Sequence, residues 1–199
     1  MRVSALVLAA GESRRMGRAK QLLEWRGKPL LQHVLDQLHG SRIGEIILVL
    51  GYEADRIRQR VPTEGVKVAL NPDYSAGLSS SIRRGLRVMD PRAEAFLIVL
   101  GDQPAVESRI LNRLMEEFER ARPAKKIALP TCRGIRGHPA LFSAEYLPEA
   151  LRLKGDVGLR QILADHPQEI LEVEMGTEAI LADIDTPEDF QKYFPEGQE

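Results

Sequence analysis

Val3-Ser4-Ala5-Leu6-Val7-Leu8-Ala9-Ala10-Gly11-Glu12-Ser13-Arg14-Arg15-Met16-Gly17-Arg18-Ala19-Lys20 is the stretch whose reading decides the fold. The run from Val3 to Leu8 reads as a buried strand, and the segment from Ala9 to Lys20 reads as an anion-binding loop. Ala9, Ala10, Gly11 and Gly17 let backbone approach a ligand closely, and successive N–H groups in such a turn converge on phosphate oxygens. Arg15 and Lys20 add full positive charges, one a planar fork and the other a compact point charge. The order is neither that of a P-loop nor that of a dinucleotide fingerprint. Glycines and charges alone fit a solvated surface loop equally well.

Outward from this loop, Pro29 stands at a first helical position, and Leu30, Leu31, Val34, Leu35 and Leu38 recur at helical spacing up to Gly40. Glu45 to Leu50 is a short apolar run of the kind that a strand covered on both faces shows. Ala54 to Val61 makes a short helix stopped by Pro62, and Val66 to Leu70 a third strand. Strand, helix, strand, helix, strand predicts a largely parallel sheet with helices on its faces. Ser79, Ser80 and Ser81 lead into a further helix, where a serine is placed to cap the N-terminus. Ala95 to Leu100 is the strongest strand signal in the chain, and it runs into Gly101-Asp102-Gln103-Pro104. Between Ser108 and Arg122, Ile110, Leu111, Leu114, Met115 and Phe118 form one apolar helix face. Ile127 to Pro130 is another strand, and Thr131 to Pro139 is rich in glycine and arginine. Leu159 to Leu163 (short helix), Ile170 to Val173 (strand) and a last helix with Thr186 as N-cap and Pro187 first inside complete the order.

The 199 residues suit a single domain, 1–199, with no linker, repeat or low-complexity segment. With 28 basic and 29 acidic residues the net charge is -1, so no basic excess marks a nucleic-acid partner, and any phosphate must be held by local charge. Cys132 is the one cysteine, which excludes an internal disulfide and fits a reducing compartment. Arginines follow the N-terminal apolar run where a signal peptidase would need small residues, and nothing approaches the roughly 18 apolar residues of a membrane span. A cytoplasmic protein, without membrane attachment, is the expectation.

In an open parallel sheet, ligands bind beyond the carboxyl ends of the strands. The loop from Ala9 to Lys20 and the carboxylate of Asp102 both leave such ends, so they share one rim. A carboxylate facing a polyphosphate needs a cation between them, and magnesium suits one or two carboxylates completed by phosphate oxygens and water. The second carboxylate is expected from Asp183-Ile184-Asp185-Thr186-Pro187-Glu188-Asp189. Asp183 and Asp185, two apart in an extended segment, point the same way. Asp185 is the stronger candidate, although an acid before a helix start also favours that helix. No Ser-His-Asp or Cys-His constellation stands out, and His33, His39 and His166 show no ligand spacing. Trp25 is expected to pack against the N-terminal loop.

The word from Leu8 to Lys20 resembles the signature of the MobA-like nucleotidyltransferase superfamily, and its Ala9-Ala10-Gly11 form resembles the molybdenum cofactor cytidylyltransferase branch. Gly101 to Pro104 and Asp183 to Asp189 resemble that family's two metal-proximal motifs, in the expected order. Asn71-Pro72, Gly77 to Ser81, Arg136-Gly137-His138-Pro139 and Gly155-Asp156-Val157-Gly158 resemble further segments, so the likeness spans almost the whole chain. It implies an α/β fold, a three-layer Rossmann-like nucleotidyltransferase architecture with a mainly parallel mixed sheet. The implied reaction is transfer of CMP from CTP to the phosphate of molybdenum-loaded molybdopterin, with pyrophosphate released and magnesium as cofactor. Arg15, Lys20 and Asp102 would be catalytic, and Asp102 and Asp185 metal-binding. Ala9, Ala10, Gly11, Ser13, Arg15, Met16, Gly17 and Lys20 would meet the nucleotide, with Asn71, Gly77, Ser79 and Ser80 towards base and ribose. His138, Arg136 and Asp156 would face the acceptor. Two alternatives stay open: the same fold using GTP or another phosphorylated acceptor, and a chaperone that carries molybdopterin to a recipient molybdoenzyme.

Overall fold

The computed structural model describes residues 1–13, 16–17, 19–184 and 186–193. In chain order its elements are β1 (Val3–Ala9), a hairpin of β2 (Glu24–Trp25) and β3 (Lys28–Pro29), α1 (Leu30–His39), β4 (Glu45–Leu50), α2 (Ala54–Arg60), β5 (Lys67–Leu70), α3 (Leu78–Leu86), β6 (Ala95–Leu100) and α4 (Ser108–Ala121). Then come β7 (Ile127–Cys132), β8 (Ile135–Arg136), β9 (Ala140–Ser143), α5 (Leu147–Ala150), α6 (Arg160–Asp165), β10 (Ile170–Glu174) and α7 (Pro187–Tyr193), with short 3-10 turns between. The main sheet runs β10-β7-β9-β6-β1-β4-β5, with β8 added on β7. β1, β4, β5 and β6 pair in parallel, as does β10 with β7, whereas β9 lies antiparallel between β6 and β7.

Every residue of β1 is buried, because the sheet is covered on both sides. Val3, Ala5, Val7 and Ala9 join one cluster with α1, α2 and α4, while Leu6 and Leu8 join another with α3, α5 and α6. That is the period of two expected of a strand, with both faces apolar, and it makes three layers. Buried Ser4 is tolerated because its hydroxyl donates to Glu45 Oε2 at 2.6 Å. The crossover from β1 through α1 moves towards the β5 edge, whereas that from β6 through α4 moves towards the β10 edge on the same face. The two crossovers therefore have opposite hands, and one is of the rare left-handed kind.

The parallel core matches the expectation, and several details differ from it, among them β8 and α5, which the sequence does not announce. β9 follows the Thr131–Pro139 segment, in a stretch to which the sequence assigns no element; at four residues, all buried, it is too short to show a period, and only its place between β6 and β7 makes it a strand. The β2–β3 hairpin turns on Arg26 and Gly27, both at positive φ, as a two-residue hairpin requires; Arg at the first place hides it. Pro29 closes β3 and precedes α1 instead of standing inside it. The Thr186 cap is present as a reciprocal pair: Asp189 N donates to Thr186 Oγ1 at 3.1 Å and Thr186 N to Asp189 Oδ2 at 2.9 Å. Trp25 shares a third small cluster with Met16 of the N-terminal loop, Leu23, Leu30, Ile184 and α7.

α3 lies so close to the sheet that a Cβ on Gly85 would stand 2.8 Å from Leu6 Cδ2 and 3.0 Å from Val49 Cγ2. Helix propensity favours Ala over Gly by about 1 kcal/mol, but overpacking costs about 1–3 kcal/mol. Gly85→Ala is therefore expected to lower stability in urea unfolding; a stabilised variant would show that α3 has room to shift.

Candidate active site

β1 and β6 are neighbours in register, with Leu8 opposite Leu100, so the segments leaving them emerge side by side on one rim. The approach is tight: a Cβ on Gly101 would be 3.0 Å from Ala9 Cβ and 3.1 Å from Leu8 O. Past Gly101, Asp102 is nearly buried and forms an ion pair with Lys20, which returns from the N-terminal loop to meet it. Ser13, at φ 52°, shapes that return: its carbonyl accepts from Met16 N at 2.9 Å and its hydroxyl from Lys20 N at 3.3 Å. Ile184 N donates to Asp102 O at 3.4 Å, and Gln103 Nε2 donates to Asp183 Oδ1, so the C-terminal acidic motif lies against the strand-end motif. Arg15 and Asp185 lie outside the described residues. Among the described residues, no group of three or more His, Cys, Asp or Glu is arranged to hold a metal ion by itself.

Around this pair the rim opens into one groove with three parts. An open cavity of about 720 Å³ is lined by Gly11, Glu12, Ser13 and Lys20 on one side and Tyr74 to Gly77, Gly155 and Asp156 on the other. A middle part of about 260 Å³ adds Ala10, Gln21, Ser81 and Asp102. Leu8, Leu78 and Leu100 are shared with a third part of about 380 Å³, whose wall is mostly aliphatic and includes Ile98, Leu129 and Phe142, with Arg136, His138, Arg160 and Asp183 as its polar members.

Gly11, Ser13, Lys20, Gly77, Asp102 and Asp156 thus line the first two parts, and Ala10 the second. Arg136 and His138 line the third. Ala9, Met16, Gly17, Asn71, Ser79 and Ser80 line none of the three. The buried amide of Asn71 donates to Ser80 Oγ at 2.9 Å and Ser81 Oγ at 3.0 Å, and Ser79 Oγ donates to Lys154 O at 3.4 Å. No serine caps α3. Gly77 holds that position at φ 94°, and Asp156 Oδ1 accepts from Leu78 N at 2.9 Å, so the cap comes from a loop 78 residues away. A Cβ on Gly77 would meet Gly155 O at 2.8 Å, so the two loops interlock. Sequence reasoning misses Tyr74 and Arg160. Arg160 directly follows the Gly155–Leu159 segment, a signal within reach; Tyr74 sits in a turn that only the fold brings to the groove.

His138 is pinned by its own N–H, which donates to Ile180 O at 2.9 Å, and a Cβ on the preceding Gly137 would be 2.3 Å from that carbonyl. Its Nδ1 is buried and, among the described residues, has no hydrogen-bond partner. Burial holds the imidazole below the usual histidine range; Asp183 and Asp102 oppose this, and Arg160 adds to it. The folded protein therefore binds fewer protons here than the unfolded chain, and stability from this site is full above about pH 6.5 and falls as pH drops through and below it. His138→Gln is expected to flatten the difference in urea midpoint between pH 7.5 and 5.5. An unchanged slope would mean that His138 titrates alike in both states.

Residues 5–170 match the MobA-like NTP transferase domain family. Across 191 residues, 94% of this chain, there is 30% identity both to the molybdenum cofactor cytidylyltransferase of Escherichia coli K12 and to the nicotine blue oxidoreductase of Paenarthrobacter nicotinovorans, covering 93% of each. The manganese complex of Rv0371c from Mycobacterium tuberculosis superposes with a TM-score of 0.83 at 29% identity, over 98% of this chain and all of that one.

Proposed function

We propose, since this chain belongs to the MobA-like NTP transferase family, that it is a cytidylyltransferase moving CMP from CTP to the terminal phosphate of molybdenum-loaded molybdopterin. The observation that carries this reading is the Lys20–Asp102 pair standing midway along a groove whose one end is loop backbone and whose other is a mostly aliphatic cavity with a few polar side chains in its lining. The cytidylyltransferase relative supports the choice of donor and acceptor.

An acceptor phosphate oxygen attacks the α-phosphorus of CTP, the bond from that phosphorus to the bridging oxygen of the β-phosphate breaks, and pyrophosphate leaves. The attacking oxygen is ionised near neutral pH, so the chain need not remove a proton; it has to align two polyanions and neutralise their charge. Lys20 and Arg15 do this at the triphosphate, and backbone of Gly11 and Ser13 lies beside it. His138, Arg136 and Arg160 take the acceptor side. The donor set fits magnesium, since a carboxylate at a strand end completed by phosphate oxygens is the environment that ion prefers. Asp102 would hold it, with Asp185 or Asp183, and it would supply positive charge at the reacting phosphate. Lys20 and Asp102 neutralise each other until the substrate enters.

Acceptor-dependent release of pyrophosphate, measured with each nucleoside triphosphate in turn, tests the assignment. Release with GTP moves the protein to a guanylyl activity. Binding of molybdopterin without release from any donor makes it a carrier for a recipient molybdoenzyme. The aliphatic wall of the third cavity also favours a second reading, binding of nicotine blue, the compound for which the oxidoreductase relative is named; saturable binding of nicotine blue to the protein would support it. Among the described residues no helix is long and apolar enough to cross a membrane.

A further inference from the structure

We infer that Tyr74 is the platform on which the nucleobase stacks, and that Gly51 is the positioning residue that lets the ring stand there; this deepens the nucleotidyltransferase reading and rests on it. Tyr74 is the one aromatic side chain lining the two parts of the groove that meet Lys20, among the described residues. Their other walls are backbone, small side chains and charged groups, with Gln21, Leu8, Leu78 and Leu100 in the middle part. A triphosphate directed to Lys20 leaves its base towards the wall formed by Tyr74 to Gly77, and a base is flat with apolar faces, so it gains most against a ring.

The ring is held in place. Tyr74 packs on the core cluster beneath α3, and Tyr52 meets it edge to face, with centroids 6.3 Å apart and planes at 65°. Tyr52 is itself anchored through its N–H, which donates to Ala10 O at 3.1 Å, so the brace hangs from the end of β1. Between them stands Gly51. A Cβ there would lie 2.7 Å from Tyr74 Cβ, 2.9 Å from its Cδ1 and 2.9 Å from Ala10 O. Gly51 does not adopt the left-handed φ, so the demand for glycine is one of space. Any larger residue forces Tyr74 or the backbone at Ala10 to shift and so disturbs the seat of the ring.

The test is binding of CTP, and of inorganic tripolyphosphate as a ligand with no base, to the whole protein with magnesium, by calorimetry. Tyr74→Leu keeps apolar bulk and loses the ring, Tyr74→Phe keeps the ring, and Gly51→Ala displaces it. Stacking predicts that Tyr74→Leu and Gly51→Ala each weaken CTP roughly tenfold. Tyr74→Phe should stay within about twofold, and tripolyphosphate should change little in every variant. Loss of CTP and tripolyphosphate affinity in equal measure, or full CTP affinity in Tyr74→Leu, would overturn the inference and leave the transferase reading intact. A wild-type protein that binds neither CTP nor any other nucleoside triphosphate would overturn both.

Discussion

Asp102→Ala is expected to lower acceptor-dependent pyrophosphate release by at least about a thousandfold, the scale on which phosphoryl-transfer enzymes lose rate when one neutralising group is removed. The carboxylate stands past the end of β6, beside the N-terminal loop, and the C-terminal motif bonds to its backbone. Its pairing with Lys20 places it in the middle part of the groove. Stability should fall as well, because the pair is mostly buried, with side-chain exposures of 17% for Lys20 and 12% for Asp102, and removing the carboxylate takes a partner from a largely desolvated ammonium; rates are therefore compared per folded protein. Asp102→Asn, which keeps the shape, should lose as much rate as Asp102→Ala. Near-normal turnover of the folded protein in either variant would remove Asp102 from the reaction.

Lys20→Met should be the second large loss, roughly a hundredfold to ten-thousandfold, because one full positive charge no longer offsets the departing pyrophosphate. If the charge acts mainly as negative charge builds on the leaving group, kcat and kcat/KM should fall together, with a small change in KM. Lys20→Arg should recover only part of the rate. Lys20 approaches Asp102 as a compact point charge, and a guanidinium fork does not fit the same contact. A variant in which only the acceptor KM rises would place Lys20 on the acceptor side instead.

The parts of the fold legible in the sequence are those whose burial is two-sided. β1, β4 and β6 are continuous apolar runs because helices cover both faces, and α4 shows its single apolar stripe because only one face is covered. β9 and the β2–β3 hairpin were not legible, since their pairing depends on strands distant in sequence or on two backbone angles. The site divides in the same way. Asp102 and Lys20 stand at fixed distances from an unmistakable strand, so their shared rim followed from parallel pairing. Asn71, Ser80 and Ser81 also follow a strand, yet their hydrogen bonds turn inward to tie the β5–α3 turn together, and Ser79 bonds to Lys154 O. The cap of α3 illustrates the limit: three serines in a helix's first turn are the ordinary signal, but Asp156 fills the role across 78 residues. Tyr74 carries no signal in the sequence, because only the fold sets Gly51 and Tyr52 beside it.

The central claim is a transfer reaction at the Lys20–Asp102 groove, and the most direct measurement is pyrophosphate release with magnesium, molybdenum-loaded molybdopterin and each of CTP, GTP, ATP and UTP, beside a control without acceptor. The account predicts release that needs the acceptor, occurs with CTP and is lost in Asp102→Ala. No release with any of the four donors, from folded wild-type protein that binds molybdopterin, would contradict it.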